Sequence, residues 1–246
     1  MKGVILAGGL GTRLYPLTHV TNKHLLPIYN KPMIFYPIET LVNAGVTEIL
    51  IVTSGPHVGD FLGVLKNGKE LGVTHLEYAY QERPDGGIAD ALSLAEDFSD
   101  HESVAVILGD NTTDAIIREP VEQFSTGALV FLKKYESRSQ LTRFGVPVFD
   151  ESGEKITAVE EKPKEPKSDY AQTGLYLYDN TVFDRIRGLA PSARGELEVS
   201  DLNSLYASEG ALTWAELNGY WSDAGTFQSM MQASWHWAQK DNVVLE

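Results

Sequence analysis

The sequence predicts an α/β fold around a mainly parallel sheet, and three observations carry that prediction. Strand-like apolar runs alternate with helix-like segments through the first half, the pattern of parallel β-α-β units with their loops at one sheet edge. The first run, Val4-Ile5-Leu6-Ala7, empties directly into the glycine loop Gly8-Gly9-Leu10-Gly11-Thr12-Arg13. A later run ends in Leu108-Gly109-Asp110-Asn111, so a carboxylate stands at the carboxyl edge of the sheet, the side on which open α/β sheets bind ligands.

The elements follow in order. Strands are expected over 2–7, 47–53, 74–79, 103–108 and 127–133. Between the first two, Ile34, Ile38, Leu41 and Val42 fall at helical spacing, Pro37 sits near the helix start and Gly45 supplies the stop. Helices near 57–66 and 87–97 fill the next gaps. The second half is less regular, with strands expected over 145–149, 155–161, 171–178 and 211–217 and helices near 180–188 and 198–208. It reads as an extension of the sheet that carries a second ligand. Residues 162–168 form a polar, proline-bearing surface loop, and a helix from Thr226 carries Phe227, Met230, Met231, Ser234 and Trp237 on neighbouring turns. With no linker, repeat or low-complexity tract, the economical reading is one domain, 1–246, with two lobes meeting near residue 133.

Composition narrows the function. Twenty Lys+Arg against thirty-four Asp+Glu leave a net charge of −14, a surface field that repels nucleic acid and anionic membrane. Any site for a small anion must therefore concentrate its own cations or a metal. The absence of cysteine removes disulfides, thiolate metal sites and thiol catalysis together. No apolar stretch approaches the roughly 18 residues of a membrane span, and the apolar N-terminal run is too short for a signal-peptide core. A cytoplasmic location is expected.

The glycine loop points to a polyphosphate. Backbone N–H groups converging after a strand, with Arg13 and Lys23 nearby, suit phosphate oxygens. The loop has neither the Gly-Lys-Ser/Thr ending of a P-loop nor, with Leu14 three places after Gly11, the third small residue of a dinucleotide fingerprint. Asp110 and Asp223, the latter just before the last helix, are candidate ligands for Mg2+, which takes a few carboxylates and otherwise substrate and water; taken singly, each also suits a cap or turn. Gln81, with Pro84-Asp85-Gly86, follows the third strand. It reads either as a turn or as an amide and bare backbone able to meet a base edge. Glu160-Glu161-Lys162-Pro163 ends a strand: Glu161 and Lys162 suit a sugar and its phosphate, or form a solvated charge pair. The six histidines show no ligand spacing.

Taken together, Leu6-Ala7-Gly8-Gly9-x-Gly11-Thr12-Arg13-Leu14-x-Pro16-Leu17-Thr18 and Lys23-x-Leu25-Leu26-Pro27-x-x-x-Lys31-Pro32-Met33-Ile34 open a series of motifs. Gln81 with Pro84-Asp85-Gly86, Leu108-Gly109-Asp110-Asn111, Glu160-Glu161-Lys162-Pro163, Thr173-Gly174-Leu175-Tyr176 and Trp221-x-Asp223-x-Gly225-Thr226 continue it. The series resembles the sugar-1-phosphate nucleotidylyltransferases, most closely their thymidylyl-transferring members, over almost the whole chain. The resemblance implies a Rossmann-like mixed, mainly parallel sheet of the nucleotide-diphospho-sugar transferase type with a sugar-binding extension, the nucleotide lobe spanning about 1–133 and the sugar lobe about 134–246. It implies dTTP and glucose 1-phosphate as substrates, Mg2+ as cofactor, and a homo-oligomer, dimer or tetramer. Arg13, Lys23 and Lys162 would be catalytic, and Leu6, Gly8, Gly9, Gly11, Thr12, Gln81, Gly86 and Asp110 would bind nucleotide. Gly145, Glu161, Lys162, Thr173 and Trp221 would line the sugar pocket, and Asp110 with Asp223 would hold the metal.

Leu10, Phe144 and Gln172 depart from the family pattern and bear on sugar identity more than on chemistry. The chain also resembles short members that lack a further helical tail, which predicts weak or altered feedback by downstream dTDP-sugars. The alternatives are a relative using another base, such as uridine, or another sugar, and a silent regulatory module. The presence of Arg13, Lys23, Asp110 and Asp223 together favours an active enzyme.

Overall fold

A computed structural model describes residues 1–243. Its elements, in chain order, are β1 (Lys2–Ala7), β2 (Pro27–Ile28), β3 (Lys31–Pro32), α1 (Phe35–Asn43), β4 (Glu48–Thr53), α2 (Val58–Leu65), β5 (His75–Tyr80), α3 (Ile88–Ser93), α4 (Glu96–Ser99), β6 (Val104–Leu108), β7 (Asn111–Thr113), α5 (Arg118–Gln123) and β8 (Ala128–Lys134). They continue with β9 (Gly145–Phe149), β10 (Ile156–Glu161), β11 (Tyr170–Tyr178), α6 (Val182–Arg187), α7 (Val199–Ser208), β12 (Leu212–Glu216), β13 (Trp221–Asp223) and α8 (Phe227–Lys240). The expected helix over 87–97 is broken in two, α3 and α4, because Leu94 and Ala95 close the first with a turn.

Seven strands form one sheet in the order β12-β8-β11-β6-β1-β4-β5. β1 pairs in parallel with β4 and β6, β4 with β5, and β12 with β8; β11 alone runs against both of its neighbours. The sheet is therefore mixed and mainly parallel. The chain leaves β1 for β4 on one side and returns to β6 on the other, so the strand order reverses between β1 and β6, where a crevice opens beyond the strand ends. Leu6 stands opposite both Val52 and Leu108, which sets the segments after β1, β4 and β6 side by side.

Alternation along the strands explains the layers. Val4 and Leu6 face one buried cluster with Val106, Leu92 and Leu202, while Ile5 and Ala7 face another with Ile38, Leu41 and Phe61. Each fully buried aliphatic side chain contributes roughly 1.5–3 kcal/mol, and burial of both faces accounts for the unbroken apolar runs of β1, β4 and β6. Pro37 lies in the first turn of α1, where its missing N–H costs nothing, and Gly45 adopts a φ of +88° just past the helix end.

Three two-stranded pairings lie outside this sheet: β2 with β3, β9 with β10, and β7 with β13. β7 and β13 run antiparallel with Asp223 opposite Asn111, and the Ala224 N–H donates to the Asp110 carbonyl at 2.8 Å. α8 then starts on a reciprocal cap, in which the Ser229 N–H donates to Thr226 Oγ1 and the Thr226 N–H to Ser229 Oγ, both at 3.1 Å. That cap fixes the chain immediately after Asp223. α8 packs back on β2 through Ala233, Ile28 and Met33.

Candidate active site

A cavity of about 560 Å3 opens at the switch point, lined by residues from both halves of the chain, among them Leu6, Gly8, Arg13, Gln81, Lys162 and Asp223. Most of the expected site residues meet there. Three are not among the lining residues: Gly11, Thr12 and Gly86. Gly11, at φ +63°, packs against Thr18 and the Lys23 stem, and its carbonyl accepts from Thr18 Oγ1 at 2.9 Å. Thr12 opens the short turn Thr12–Leu14, whose buried Leu14 leaves Arg13 directed to the cavity. Within the loop itself, the Gly9 N–H is donated to Ser54 Oγ at 3.0 Å, so the convergence of free N–H groups is narrower than the glycine count suggests. Gly8 leaves room for the Gln81 amide: a Cβ there would lie 2.8 Å from Gln81 Oε1.

The acid end is built from Asp110 and Asp223. Asp110 is almost fully buried, yet the Lys23 ammonium 2.7 Å away, the neighbouring His24 and an Asn111 amide bond outweigh the burial and hold its carboxyl well below the usual range. Asp223 goes the other way. Burial and then the charge of Asp110 raise its carboxyl, against the pull of Arg143, Arg13 and Lys23, and its Oδ1 is buried with no hydrogen-bond partner. Two neighbouring carboxyls pushed in opposite directions are a signature of a functional site. Gly225 makes the approach possible, since a Cβ there would lie 2.8 Å from an Arg13 guanidinium nitrogen and 3.3 Å from Asp110 Oδ2.

His24, assigned no role by its sequence context, is buried behind Lys23. Desolvation and the Lys23 charge lower its pKa to about 3, so the imidazole is neutral at physiological pH and leaves the cationic work to Lys23. Asn111 knits the floor: its Nδ2 donates to Asp110, and its Oδ1 accepts from the Gly174 N–H at 3.0 Å and from Trp221 Nε1 at 2.7 Å. That last bond holds Trp221, with Phe144 at a ring separation of 5.4 Å, against the cavity.

Glu161 and Lys162 line the same cavity. Glu161 accepts from Ser200 Oγ at 2.7 Å and pairs with Lys162 at 2.9 Å. Lys162 sits at φ +47°, a left-handed conformation that costs a non-glycine residue on the order of 1–3 kcal/mol and persists mainly where a site demands it. Gly145 leaves room here, because a Cβ would crowd Ser200, Gln172 and Val159 at 3.1–3.3 Å. Thr173 lines the cavity, and its hydroxyl donates to the Phe131 carbonyl at 2.8 Å.

Sequence inspection overlooked two guanidinium groups on the same cavity, Arg143 and Arg194. Arg194 pairs with Glu198 at 2.8 Å, whereas Arg13 and Arg143 make no ion pair among the described residues. Nothing in their local sequence marks either one: Arg143 ends a short 3-10 helix, Arg138–Arg143, and Arg194 lies in a turn, and the place of each depends on distant packing. No group of three or more His, Asp or Glu side chains able to hold a metal occurs among the described residues. The pair of carboxylates with an unpartnered buried oxygen nevertheless fits a hard cation that completes its shell with phosphate oxygens and water.

An open α/β sheet whose switch-point crevice carries five cations, an ionised Asp110 and a strained lysine defines an enzyme site for phosphorylated small molecules. The chain belongs to the nucleotidyl transferase family, whose model matches residues 2–240, and within it to the glucose-1-phosphate thymidylyltransferases. It is 42% identical over 241 residues to the glucose-1-phosphate thymidylyltransferase of Neisseria meningitidis serogroup A, covering 95% of this chain and 81% of that one. With the Mycolicibacterium smegmatis enzyme of the same name it shares 41% identity over 246 residues, with the same coverage. A Bacillus anthracis structure assigned as a glucose-1-phosphate thymidylyltransferase, in complex with a sucrose, superposes with a TM-score of 0.89 at 46% identity, covering 100% of this chain and 97% of that one. A UDP-glucose pyrophosphorylase complexed with UDP-glucose, 23% identical with a TM-score of 0.82 and covering 97% of this chain and 98% of that one, shares the fold.

Proposed function

We propose that this enzyme transfers a thymidylyl group from dTTP to glucose 1-phosphate, giving dTDP-glucose and pyrophosphate. A phosphate oxygen of the sugar attacks the α-phosphorus in line; the new O–P bond forms as the bond to the β-phosphate oxygen breaks, and that oxygen carries its electron pair away on pyrophosphate. The observation that carries the reading is that Arg13, Lys23, Asp110 and Asp223 line one and the same cavity as Glu161 and Lys162. No protein nucleophile is required, so catalysis is positioning and charge stabilisation. Arg13 steadies the departing pyrophosphate, Lys23 the α-phosphate, and Lys162 the sugar phosphate, with Arg194 beside it. Gln81 meets the base, and Glu161 accepts from sugar hydroxyls beneath Trp221. First-half residues grip the nucleotide and second-half residues the sugar, except that Asp223 crosses to the nucleotide side.

Asp110 and Asp223 would hold Mg2+, which when bound neutralises phosphate charge and polarises the oxygens it touches. No helix among the described residues is long and apolar enough to cross a membrane, and we infer a cytoplasmic homo-oligomer.

The test is a pyrophosphate-release assay over a grid of deoxynucleotides, ribonucleotides and sugar 1-phosphates. The highest kcat/KM is expected for dTTP with glucose 1-phosphate. A UTP maximum would reassign the base, and silence with every pair would make the chain a regulatory module. In the same assay, Lys162→Ala is expected to lower kcat by on the order of 10²-fold, since it removes the ammonium assigned to the attacking sugar phosphate. Arg13→Lys should also be poorly tolerated, because a point charge cannot reproduce the guanidinium fork.

A further inference from the structure

The Gln81 side chain is 4% exposed, and both of its amide hydrogens have acceptors: Nε2 donates to Asp90 Oδ2 at 2.7 Å and, more weakly, to the Gly87 carbonyl at 3.4 Å. Resting on the reading that Gln81 meets the base, we infer that Asp90 is a positioning residue that locks the Gln81 amide with its oxygen toward the cavity. The lock selects a pyrimidine that offers a ring N–H, thymine or uracil, over cytosine, which offers a bare ring nitrogen.

The chemistry is one-sided. An ionised carboxylate accepts hydrogen bonds and cannot donate them, so only the NH2 end of Gln81 can face Asp90. An amide at position 90 would leave both orientations of Gln81 open. Oε1 is thereby committed to the other direction, beside Gly8, where a Cβ would stand only 2.8 Å away. Among the described residues Oε1 accepts from no protein donor. With both donors spent, Gln81 presents an acceptor alone. Thymine and uracil place a donor against it, whereas cytosine sets its N3 lone pair against that oxygen.

Gly86 acquires its explanation here. A Cβ at Gly86 would lie 2.2 Å from Asp90 Oδ2, so the bare backbone makes room for the carboxylate. Asp90 is held from α3, where Ser93 Oγ donates to its carbonyl at 2.7 Å, and it does not line the cavity.

The experiment measures kcat/KM for dTTP and dCTP in the parent, Asp90→Ala, Asp90→Asn, Gln81→Ala and the double variant Gln81→Ala/Asp90→Ala, each first checked for a parental circular-dichroism spectrum. Asp90→Ala is expected to reduce the dTTP:dCTP ratio by about tenfold, the weight of one well-placed hydrogen bond, with the change falling on KM. Asp90→Asn keeps the side-chain volume and loses the one-sided acceptor, so its ratio should fall in the same direction even if the alanine variant folds poorly. Adding Asp90→Ala to Gln81→Ala should change the ratio no further. A parental ratio in both Asp90 variants, with Gln81→Ala losing selectivity, would overturn the role of Asp90 alone. If Gln81→Ala also keeps the parental ratio, the assignment of Gln81 to the base fails, and the inference with it.

Discussion

Asp223→Asn is expected to lose at least about 10²-fold in turnover and, at the same time, to unfold at a higher temperature than the parent. The two effects have one cause. The Asp223 carboxyl is raised by burial and by the charge of Asp110, and one of its oxygens is buried without a partner. A carboxyl whose folded pKa lies above its unfolded value of about 3.9 binds more protons in the native state, so stability is lost as pH rises from the unfolded pKa through the folded one. At neutral pH the ionised group is a standing cost, which the neutral amide removes. Steady-state pyrophosphate release and thermal melts from about pH 4 to neutrality test this, with the advantage of the variant growing toward neutral pH. Undiminished turnover, or a lower melting temperature across the whole range, would refute the functional reading of this carboxylate.

Lys23→Ala is expected to destabilise the fold by roughly 3–5 kcal/mol, with turnover lost alongside. Lys23 and Asp110 are 14% and 11% exposed, and removing the ammonium leaves Asp110 charged, desolvated and beside Asp223. The sign of the pH dependence is opposite to that of Asp223. The depressed carboxyl of Asp110 contributes stability that is present above the unfolded pKa of about 3.9 and is lost as pH falls through its folded value. The gap between variant and parent should therefore be widest near neutrality and shrink in acid. Urea unfolding at several pH values measures it. The double variant Lys23→Ala/Asp110→Asn should regain much of the stability, because no unpaired charge remains buried, while turnover stays low. A single variant within about 1 kcal/mol of the parent, the range of an exposed pair, would show that Lys23 is not the counter-charge of Asp110.

Much of this architecture is legible in the chain, and the reasons are local. β1, β9 and α7 fall within a residue of their expected bounds because apolar runs and helical spacing are properties of adjacent residues. The glycine loop, Asp110 and Lys162 are likewise readable as groups at strand ends. β7 and β13 are not readable: three residues carry no periodicity, and their pairing joins positions more than a hundred apart. That pairing is what seats Asp223 beside Asp110. Arg143 and Arg194 are unreadable for the same reason, and the cavity lining leaves out Gly11, Thr12 and Gly86, which the motifs offer as nucleotide contacts.

The order of the nine longer strands and of most helices, the exclusion of thiol chemistry and the identity of the charged groups were settled by the amino-acid sequence itself, since propensity and patterning act between near neighbours. Tertiary structure alone decided which of those charges share a cavity, which carboxyl is driven down and which up, and which way the Gln81 amide points. Those outcomes depend on desolvation and on charges a few ångströms apart, and such distances exist only once remote segments have been folded together.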